Sequence, residues 1–464
     1  MKTSIFAALL LSLSTLAGFT VAAELSPPNY TRDAATSWDD LPAVLARIKA
    51  PTFPDRDFDI RDYGAKPAGK DLDNTAAIHR AIAACHDAGG GRVVVPAGTW
   101  PTGAIHLQSN VNLHVSEGAT LLFSSDPAKY PLVHTTWEGV ELMNYSPLIY
   151  AFEQKNVALT GRGTLDGQAS YENWWDWKNY EKGPPFRQVP DREKHFAMGM
   201  DNTPVEERVF GEGHLLRPSF VQPYRCENVL IEGVTILRAP FWVVHPVQST
   251  NVTVRGVTVE SAGPNNDGCD PEACRDVLIE DCTFKTGDDC IAIKSGRNED
   301  ARRIGFAAEN IVIRNCHFSD GHGGVVIGSE ISGGCQNVFV ENSVMDSPHL
   351  GRALRFKNNA MRGAVIENIF LRNISVKRVG NAVIAVQNNY EEGDEGPFTP
   401  VLRNVQVDNL TCADTPRVLH LASYPGAVLE DIVISNSTFL GVKKPDLLQH
   451  GSARYESVTI TPAN

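Results

Sequence analysis

The feature that most constrains this chain is a degenerate repeat that runs through its second half. Residues 228–236, Asn-Val-Leu-Ile-Glu-Gly-Val-Thr-Ile, are echoed at 251–259 by Asn-Val-Thr-Val-Arg-Gly-Val-Thr-Val. The other copies also begin with an asparagine or an aspartate, at Asp276, Asn310, Asn337, Asn368, Asn404 and Asp431. Successive starts are 23 residues (228 to 251) to 36 residues (368 to 404) apart. Periods of this size are typical of solenoids, in which each repeat stacks on its neighbours.

Each copy consists of two short runs of β-branched and aliphatic residues around a polar pair, which is a pattern of strands rather than helices. Stacking pairs each strand with its counterpart one turn along, about 4.8 Å away. Asparagine and aspartate at the starts suit a stacked turn with left-handed backbone. The repeat therefore predicts an all-β fold, a parallel β-helix, and weaker echoes at Asn110 and Asn156 extend it towards the N-terminus.

Two segments before residue 228 depart from the repeat. Residues 73–85 place Ile78, Ala81, Ile82 and Cys85 on one helical face, and Gly89, Gly90 and Gly91 follow before a Val-Val-Val strand at 93–95. This pattern predicts a helix that caps the solenoid, within a region of about 55–100. Residues 169–216 have no repeat and predict a long loop insertion. Its tryptophans, Trp174, Trp175 and Trp177, either stack on ligand rings or anchor the loop.

Composition limits the classes of function. The formal charge of −13 over 464 residues argues against a nucleic acid or an anionic membrane as partner, and a polyanionic substrate would need a local basic site. Lys2, the apolar run 5–17 and the small residues 21–23 predict a signal peptide over residues 1–23, and hence a periplasmic or secreted protein. The alternative is a buried N-terminal helix. Residues 24–464 are predicted to form a single β-helix domain.

Nine cysteines are an odd number that cannot all pair. Cys282 and Cys316 recur at equivalent repeat positions, which favours stacked apolar packing over a disulfide framework or a metal site. One or two disulfides remain an alternative.

The repeat also provides a register for polar residues that interrupt the apolar pattern. These residues fall in three segments, 265–270, 287–290 and 321–324. Asp288 and His322 each lie 12 residues after the start of their own repeat (288 − 276 and 322 − 310). Equal offsets in consecutive coils place the two side chains one rung apart on the same edge. Asp289 is adjacent and Asp267 comes from the preceding coil, so the spacing predicts a cluster of three aspartates and one histidine.

Crowded carboxyl groups suit acid–base chemistry. Like-charge repulsion raises the pKa of at least one of them, which leaves an acid beside ionised bases. Cleavage of a glycosidic bond needs such a pair, one group to protonate the leaving oxygen and one to activate water or to attack. The alternatives are a solvated acidic edge or a calcium site, because calcium takes the same oxygen ligands. The glycines around Asp288 and His322 would let a ligand approach the backbone.

Positive charge follows in the next coil, at Arg352 and in Arg355-Phe356-Lys357. Alternation along a strand places Arg355 and Lys357 on one face. They either bind the carboxylate of an acidic ligand or form salt bridges to the aspartates.

Four motifs, in their order and approximate spacing, resemble those of the polygalacturonases, glycoside hydrolase family 28. They are Asn265-Asn-Asp267, Gly287-Asp-Asp289, Gly321-His-Gly323 and Arg355-Phe-Lys357. The similarity runs from about residues 59–64, Asp-Ile-Arg-Asp-Tyr-Gly, to the end of the chain. Asn266 and Phe356 depart from the threonine and isoleucine that many members carry, but neither departure removes a chemical group from the mechanism. The resemblance implies a right-handed, single-stranded parallel β-helix and inverting hydrolysis of α-1,4-galacturonosidic linkages in pectin-derived polymers or oligomers.

The resemblance also implies roles for the clustered residues. Asp288 would be the general acid, Asp267 and Asp289 would activate water, and His322 would position the acid. No metal and no organic cofactor is expected.

Substrate binding is implied for three further residues. Arg355 and Lys357 would bind the galacturonate carboxylate, and Tyr390 would line the cleft. The run 321–330 resembles bacterial exo-acting members, and an insertion at 169–216 that closed one end of the cleft would also favour exo action. The expected partner is a galacturonic acid-containing polysaccharide or oligosaccharide.

Two rival functions remain open from the residues alone. A pectate or pectin lyase uses the same solenoid for β-elimination, commonly with calcium, and a noncatalytic carbohydrate-binding solenoid would not use the aspartates as acids and bases. The motifs do not separate homogalacturonan from rhamnogalacturonan or xylogalacturonan, and they give no oligomeric state.

Overall fold

The computed structural model describes Tyr30 and residues 33–68, 72–178 and 186–463, so the predicted signal peptide lies outside the described residues. The largest sheet has 22 strands, nearly all of them joined in parallel between successive coils. Its strands are Asp57–Asp59, Gly91–Val95, Gly98–Thr102, Val111–Val115, Ala119–Phe123, Lys155–Gly161, Thr164–Asp166, Glu227–Glu232, Thr235–Leu237, Thr250–Arg255, Thr258–Ser261, Arg275–Glu280, Thr283–Thr286, Ala308–Arg314, His317–Asp320, Cys335–Met345, Val365–Val376, Val401–Cys412, Val428–Ser435, Thr438–Val442, Arg454–Glu456 and Thr459–Pro462.

A second parallel column carries part of the site. Six strands form one sheet, Ile291–Ile293, Gly323–Ile327, Arg352–Lys357, Ala382–Gln387, Leu419–Ala422 and Leu447–Gln449. Three earlier strands, Ile105–His106, Ile149–Phe152 and Val221–Tyr224, form another. Single bridges through Val244 and Cys269 join the two sheets into one column. A small separate sheet contains Leu132–Trp137, Val140–Tyr145 and Val209–Phe210.

The strand register is the register of the sequence repeat. Val252 pairs with Val229 of the previous coil and with Val277 of the next, each at the same position of its copy. The inward positions of the coils form one continuous apolar core. The prediction of a right-handed parallel β-helix is confirmed.

The stacked turn at the start of each repeat is also confirmed. All eight starting residues have left-handed backbone, with φ between 51° and 60°. Their side chains bond from coil to coil: Asn251 Nδ2 donates to Asn228 Oδ1 at 2.6 Å, and Asn337 Nδ2 donates to Asn310 Oδ1 at 2.9 Å. Asparagine therefore recurs because it tolerates this backbone and can hydrogen-bond to the rung before it.

The cysteines belong to the core. All nine are buried and carry free thiols, so the disulfide alternative is wrong and the packing interpretation is confirmed. Cys282 and Cys316 lie among the stacked apolar side chains inside the solenoid.

The described residues contain four α-helices outside the sheets: α1 (Leu41–Arg47), α2 (Thr75–Asp87), α3 (Val189–Met200) and α4 (Asn298–Ile304). Short 3-10 turns cover Trp38–Asp40, Ile60–Tyr63, Pro127–Lys129, Trp174–Trp177 and Val205–Glu207. No helix in the described ranges is long and apolar enough to span a bilayer.

The capping helix is confirmed as α2, which buries Ile78, Ala81, Ile82 and Cys85 in the solenoid core. The first coil starts earlier than expected, because Asp57–Asp59 already pairs in parallel with Gly91–Val95.

The insertion is anchored by its tryptophans. Trp174 is buried in the core, and the Trp175 indole N–H donates to the Ala239 carbonyl at 2.9 Å. The anchoring alternative is therefore the correct one for these two residues. The segment is not only a loop, since it contains α3, whose Phe196 packs with Trp137 and Phe210 in a separate apolar cluster.

Candidate active site

Asp267 and Asp289 occupy equivalent positions in consecutive coils. The bridge between Cys269 and Ile291 sets the register, and each aspartate lies two residues before it. The backbone holds this alignment, since the Gly268 N–H donates to the Asp289 carbonyl at 3.0 Å. Both side chains are buried, Asp267 to 4% and Asp289 to 0% exposure.

Asp288 and His322 are aligned in the same way one coil further on, because Ile291 pairs with Val325. The His322 N–H donates to the Asp288 carbonyl at 2.9 Å, and His322 Nδ1 lies 3.5 Å from Asp288 Oδ1. One oxygen from each of the three carboxyl groups lies within 4.8 Å of the others, a spacing that would also suit a metal ion. The predicted register thus brings the three aspartates and the histidine together.

Asp288, the expected general acid, is not the carboxyl group whose pKa is raised. Burial raises the pKa of Asp288, but its contact with His322 and the positive charge of Lys357 outweigh it and lower the pKa to about 2. Burial, and then the charge of Asp288, raise the pKa of Asp267 well above its ordinary value. In the free protein the carboxyl group with the raised pKa is therefore Asp267, while Asp288 is ionised beside His322.

The contact with the Asp288 carboxylate, 3.5 Å away, raises the pKa of His322 above its ordinary value of about 6.5, and burial opposes the shift only in part. Because its pKa is raised, His322 keeps its proton at pH values below the raised pKa and loses it as the pH rises through that pKa. We therefore expect the proton that Asp288 needs as a general acid to be shared between His322 and Asp288.

Replacing His322 by glutamine should move the alkaline limb of the kcat/KM profile to lower pH, because the limb then reports the bare carboxyl group of Asp288. We expect lower activity throughout and an earlier decline, measured by steady-state kinetics across the acidic to neutral range. His317→Gln is the matched control, since His317 lies on the 22-stranded sheet and likewise contacts an aspartate, Asp346, at 2.7 Å. An alkaline limb that stays in place in H322Q would contradict the shared proton.

Lys357 and Arg355 differ in their partners. Lys357 Nζ bonds to Asp289 Oδ2 at 2.6 Å and is buried, so the salt-bridge alternative holds for this lysine. Arg355 Nε donates to Gln387 Oε1 at 2.7 Å. Both cations lie near the ring of Tyr390, at 5.6 and 5.5 Å from its centre.

The glycines near the acids are required by packing between coils. A Cβ on Gly323 would lie 2.6 Å from Asp289 Oδ1, and one on Gly287 would lie 2.2 Å from the Gly263 carbonyl oxygen of the preceding coil. Both glycines therefore provide space between coils, including the space for the Asp289 carboxylate, and the expectation that they admit a ligand to the backbone stays a prediction.

A cavity of about 320 Å³ opens over the acids. Its walls include Asp267, Asp288, Arg355, Lys357 and Tyr390, all predicted from the sequence, and also Lys178, Gln188 and Arg192 from the insertion. The volume lies at the small end of the range for ligand pockets, about 300–1,000 Å³.

Comparison with known proteins identifies the family. Residues 211–437 match the model of "Glycosyl hydrolases family 28". The chain is 29% identical over 398 residues to a probable polygalacturonase of Vitis vinifera, which covers 81% of this chain and 73% of that protein. It is 27% identical over 444 residues to the exo-poly-alpha-D-galacturonosidase of Dickeya chrysanthemi, covering 87% and 71%. The crystal structure of a hyperthermoactive exopolygalacturonase from Thermotoga maritima is 43% identical, with a TM-score of 0.88, and covers 91% of this chain and 96% of that one. The chain belongs to glycoside hydrolase family 28.

Membership in family 28 makes the protein a glycoside hydrolase and favours hydrolysis over the lyase and binding-only alternatives. The four family motifs supply Asn265, Asp267, Asp288, Arg355 and Lys357 of the cavity wall. They do not account for Lys178, which lies in the insertion, or for Lys294 and Glu330, which form an ion pair of 2.9 Å in the cavity wall.

Sequence reasoning also missed a buried aspartate in the same turn as Asp267. Asp270 is fully buried, and neither of its carboxylate oxygens has a hydrogen-bond partner among the described residues. Burial and the neighbouring Asp267 raise the pKa of Asp270 well above its ordinary value. It ends the segment 265–270 that the polar pattern marked, and its full burial was the property that the pattern did not reveal.

Proposed function

We propose that this family 28 enzyme hydrolyses α-1,4-galacturonosidic bonds in galacturonan by single-displacement acid–base catalysis and attacks the chain from its end. The observation that carries the proposal is a pair of carboxylate oxygens. In the described part of the chain, Asp267 Oδ1 and Asp289 Oδ1 are buried without a hydrogen-bond partner. Buried carboxylate oxygens are costly to leave unbonded, so they are suited to hold a water molecule beside Asp288.

The reaction follows from this arrangement. Asp289, in its ion pair with Lys357, accepts a proton from the water while Asp267 orients it, and the water oxygen bonds to the anomeric carbon. The bond from that carbon to the leaving oxygen breaks, and Asp288 delivers a proton to the leaving oxygen. His322 passes its proton to Asp288. One water is consumed, and each half of the substrate leaves with a hydroxyl group.

Asp288 is ionised in the free protein, and it can still act as the acid if substrate binding raises its pKa. The cations around Asp288 contribute to its low pKa, and substrate carboxylates would neutralise part of their charge. Exclusion of water favours the neutral acid as well. We therefore expect the pKa of Asp288 to rise on binding.

The proposal of an inverting mechanism rests on the family resemblance and on the two buried oxygens of Asp267 and Asp289 that lack a hydrogen-bond partner in the described part of the chain. It rests less on the distance between the carboxyl groups. Inverting glycosidases usually hold their carboxyl groups about 6.5–9.5 Å apart, and retaining ones about 5–5.5 Å. Here the closest oxygens all lie within 4.8 Å. A water held between Asp267 and Asp289 replaces the nucleophilic carboxylate of a retaining enzyme.

Attack at the chain end is supported by the cavity walls. Arg192 of α3 bonds to Glu138 at 2.7 Å and to Glu391 at 3.3 Å, so the insertion is tied to loops of the solenoid beside the acids. A short cavity bridged in this way suits the end of a polymer better than its middle. We also propose a periplasmic or secreted location, where galacturonan is found, on the strength of the predicted signal peptide.

The experiment is a time course on defined oligogalacturonides, with products separated by size and the first-formed anomer read by proton NMR. We expect the same small product from the first time point, with the anomeric configuration inverted from α to β. A spread of intermediate sizes would contradict exo action, and an initial α anomer would contradict single displacement. Unsaturated products that absorb in the near ultraviolet would overturn hydrolysis itself.

A further inference from the structure

Positive charge flanks the acids on both sides along the solenoid axis. Arg355 pairs with Val326 and so lies two coils beyond Asp289, about 10 Å at a spacing of about 4.8 Å per coil. On the other side, Asn265 belongs to the same turn as Asp267, one coil before Asp289.

Two cations meet at Asn265. Lys178 Nζ donates to Asn265 Oδ1 at 2.6 Å, and Arg217 Nη2 donates to the same oxygen at 2.9 Å. Lys178 lines the cavity together with Asp267 and Asp288. Asn265 therefore fixes an ammonium group at the edge of the acidic cluster.

The charge of Arg217 is satisfied only by neutral groups. It is fully buried, and it donates to the carbonyls of Pro240 at 2.9 Å and Pro264 at 2.7 Å. Within the described ranges it has no ion-pair partner. Glu138 interacts electrostatically with both cations, but it is itself ion-paired with Arg192 at 2.7 Å. Arg217 therefore places a second positive charge next to Lys178 on this side of the cavity.

We propose that Lys178, held by Asn265 beside Arg217, binds the carboxylate of the galacturonate residue on its own side of the scissile bond. Arg355 serves the sugar on the other side. The inference rests on the proposed function, because a galacturonan places a carboxylate on both sugars that flank the bond. An ammonium–carboxylate hydrogen bond is strong in a partly dry site, so the insertion supplies a specificity residue that requires an acidic sugar there.

Recognition at Lys178 also bears on the acid. The positive charge of Lys178 is one of the influences that lower the pKa of Asp288. A substrate carboxylate that pairs with Lys178 cancels part of that influence, so the correct sugar favours the protonated form of Asp288.

The test uses three short oligogalacturonides. In one, both sugars that flank the cleaved bond are galacturonate. In each of the others, one of these two sugars is replaced by galactose, which lacks the carboxylate. Lys178→Met should lower kcat/KM on the all-acid substrate by about tenfold to a hundredfold, the effect of one charge-assisted hydrogen bond. The loss should vanish on one galactose analogue only. Arg355→Ala should lose its effect on the other analogue.

Lys194→Met, which removes an exposed lysine from the same insertion, should change none of the three rates. An equal loss on all three substrates in K178M, or no loss, would overturn the recognition. If K178M does not fold, wild type alone decides: cleavage of both analogues as fast as the all-acid substrate refutes an acid requirement on either side. Failure of wild type to cleave the all-acid substrate would instead refute the proposed function.

Discussion

Asp288→Asn should lower kcat on polygalacturonate by about 10²–10⁴-fold, the range that general acid catalysis contributes. The amide keeps the shape of the carboxyl group and can still contact His322, but it cannot deliver a proton to the leaving oxygen. Binding should survive, since Arg355 and Lys178 are untouched. The measurement is kcat by release of reducing ends, together with binding of galacturonate by calorimetry. Loss of rate with retained binding assigns the effect to the chemical step.

Folding should not account for the loss. Asp288 is 29% exposed at its side chain, and removal of its charge has two opposing effects, since it relieves repulsion with Asp267 and weakens the attraction to His322 and Lys357. The unfolding midpoint of D288N should therefore lie close to that of wild type. Asp346→Asn is the control. It removes the carboxylate that contacts His317 at 2.7 Å, and it should keep full activity. A kcat within tenfold of wild type in D288N would refute the acid assignment.

The fold could be predicted from the sequence because the residues that specify it are close together in the chain and recur in every copy of the repeat. Each copy carries an asparagine or aspartate that tolerates left-handed backbone, followed by alternating apolar residues, and stacking only requires copies to match. One exception is a row of apolar residues on the outward face, Leu278, Val312, Phe339 and Phe370. They are covered by the chain that precedes the repeat, with Leu41 and Val44 of α1 packed against them. No local pattern connects a short N-terminal helix with strands more than 200 residues away.

The acidic cluster could be predicted for the same reason, since equal offsets in two copies place Asp288 against His322. The charges of its carboxyl groups could not be predicted. The pKa of Asp288 depends on His322, Lys357 and Lys178, which come from three different parts of the chain. Crowding alone predicts a raised pKa somewhere in the cluster, and the raised value falls on Asp267 and Asp270 instead. Lys178 lies outside the repeat, so no register could place it at the site.

Lys357→Met should have a second large effect, on stability as well as on rate. Lys357 and Asp289 form an ion pair of 2.6 Å with side chains 8% and 1% exposed. Removing one partner leaves the other charge buried, which typically costs about 3–5 kcal/mol of the free energy of unfolding. The activity should fall as well, because Asp289 loses the partner that positions it towards the water. Denaturant unfolding and kcat/KM measure the two effects separately.

The double variant K357M/D289N separates the two causes. With an uncharged amide in place of the Asp289 carboxylate no charge is left buried, so stability should return towards wild type while activity stays low, a coupling that a double-mutant cycle quantifies. Lys155→Met is the matched control, since Lys155 pairs with Glu227 at 2.8 Å on the surface, with side chains 70% and 50% exposed, and should change stability by less than about 1 kcal/mol. Equal destabilisation in K357M and K155M would show that the buried pair does not hold Asp289 in the site. The stability of this solenoid edge and its proposed chemistry then depend on one contact, because the carboxylate that we propose takes the proton from water is the one that the fold neutralises with lysine.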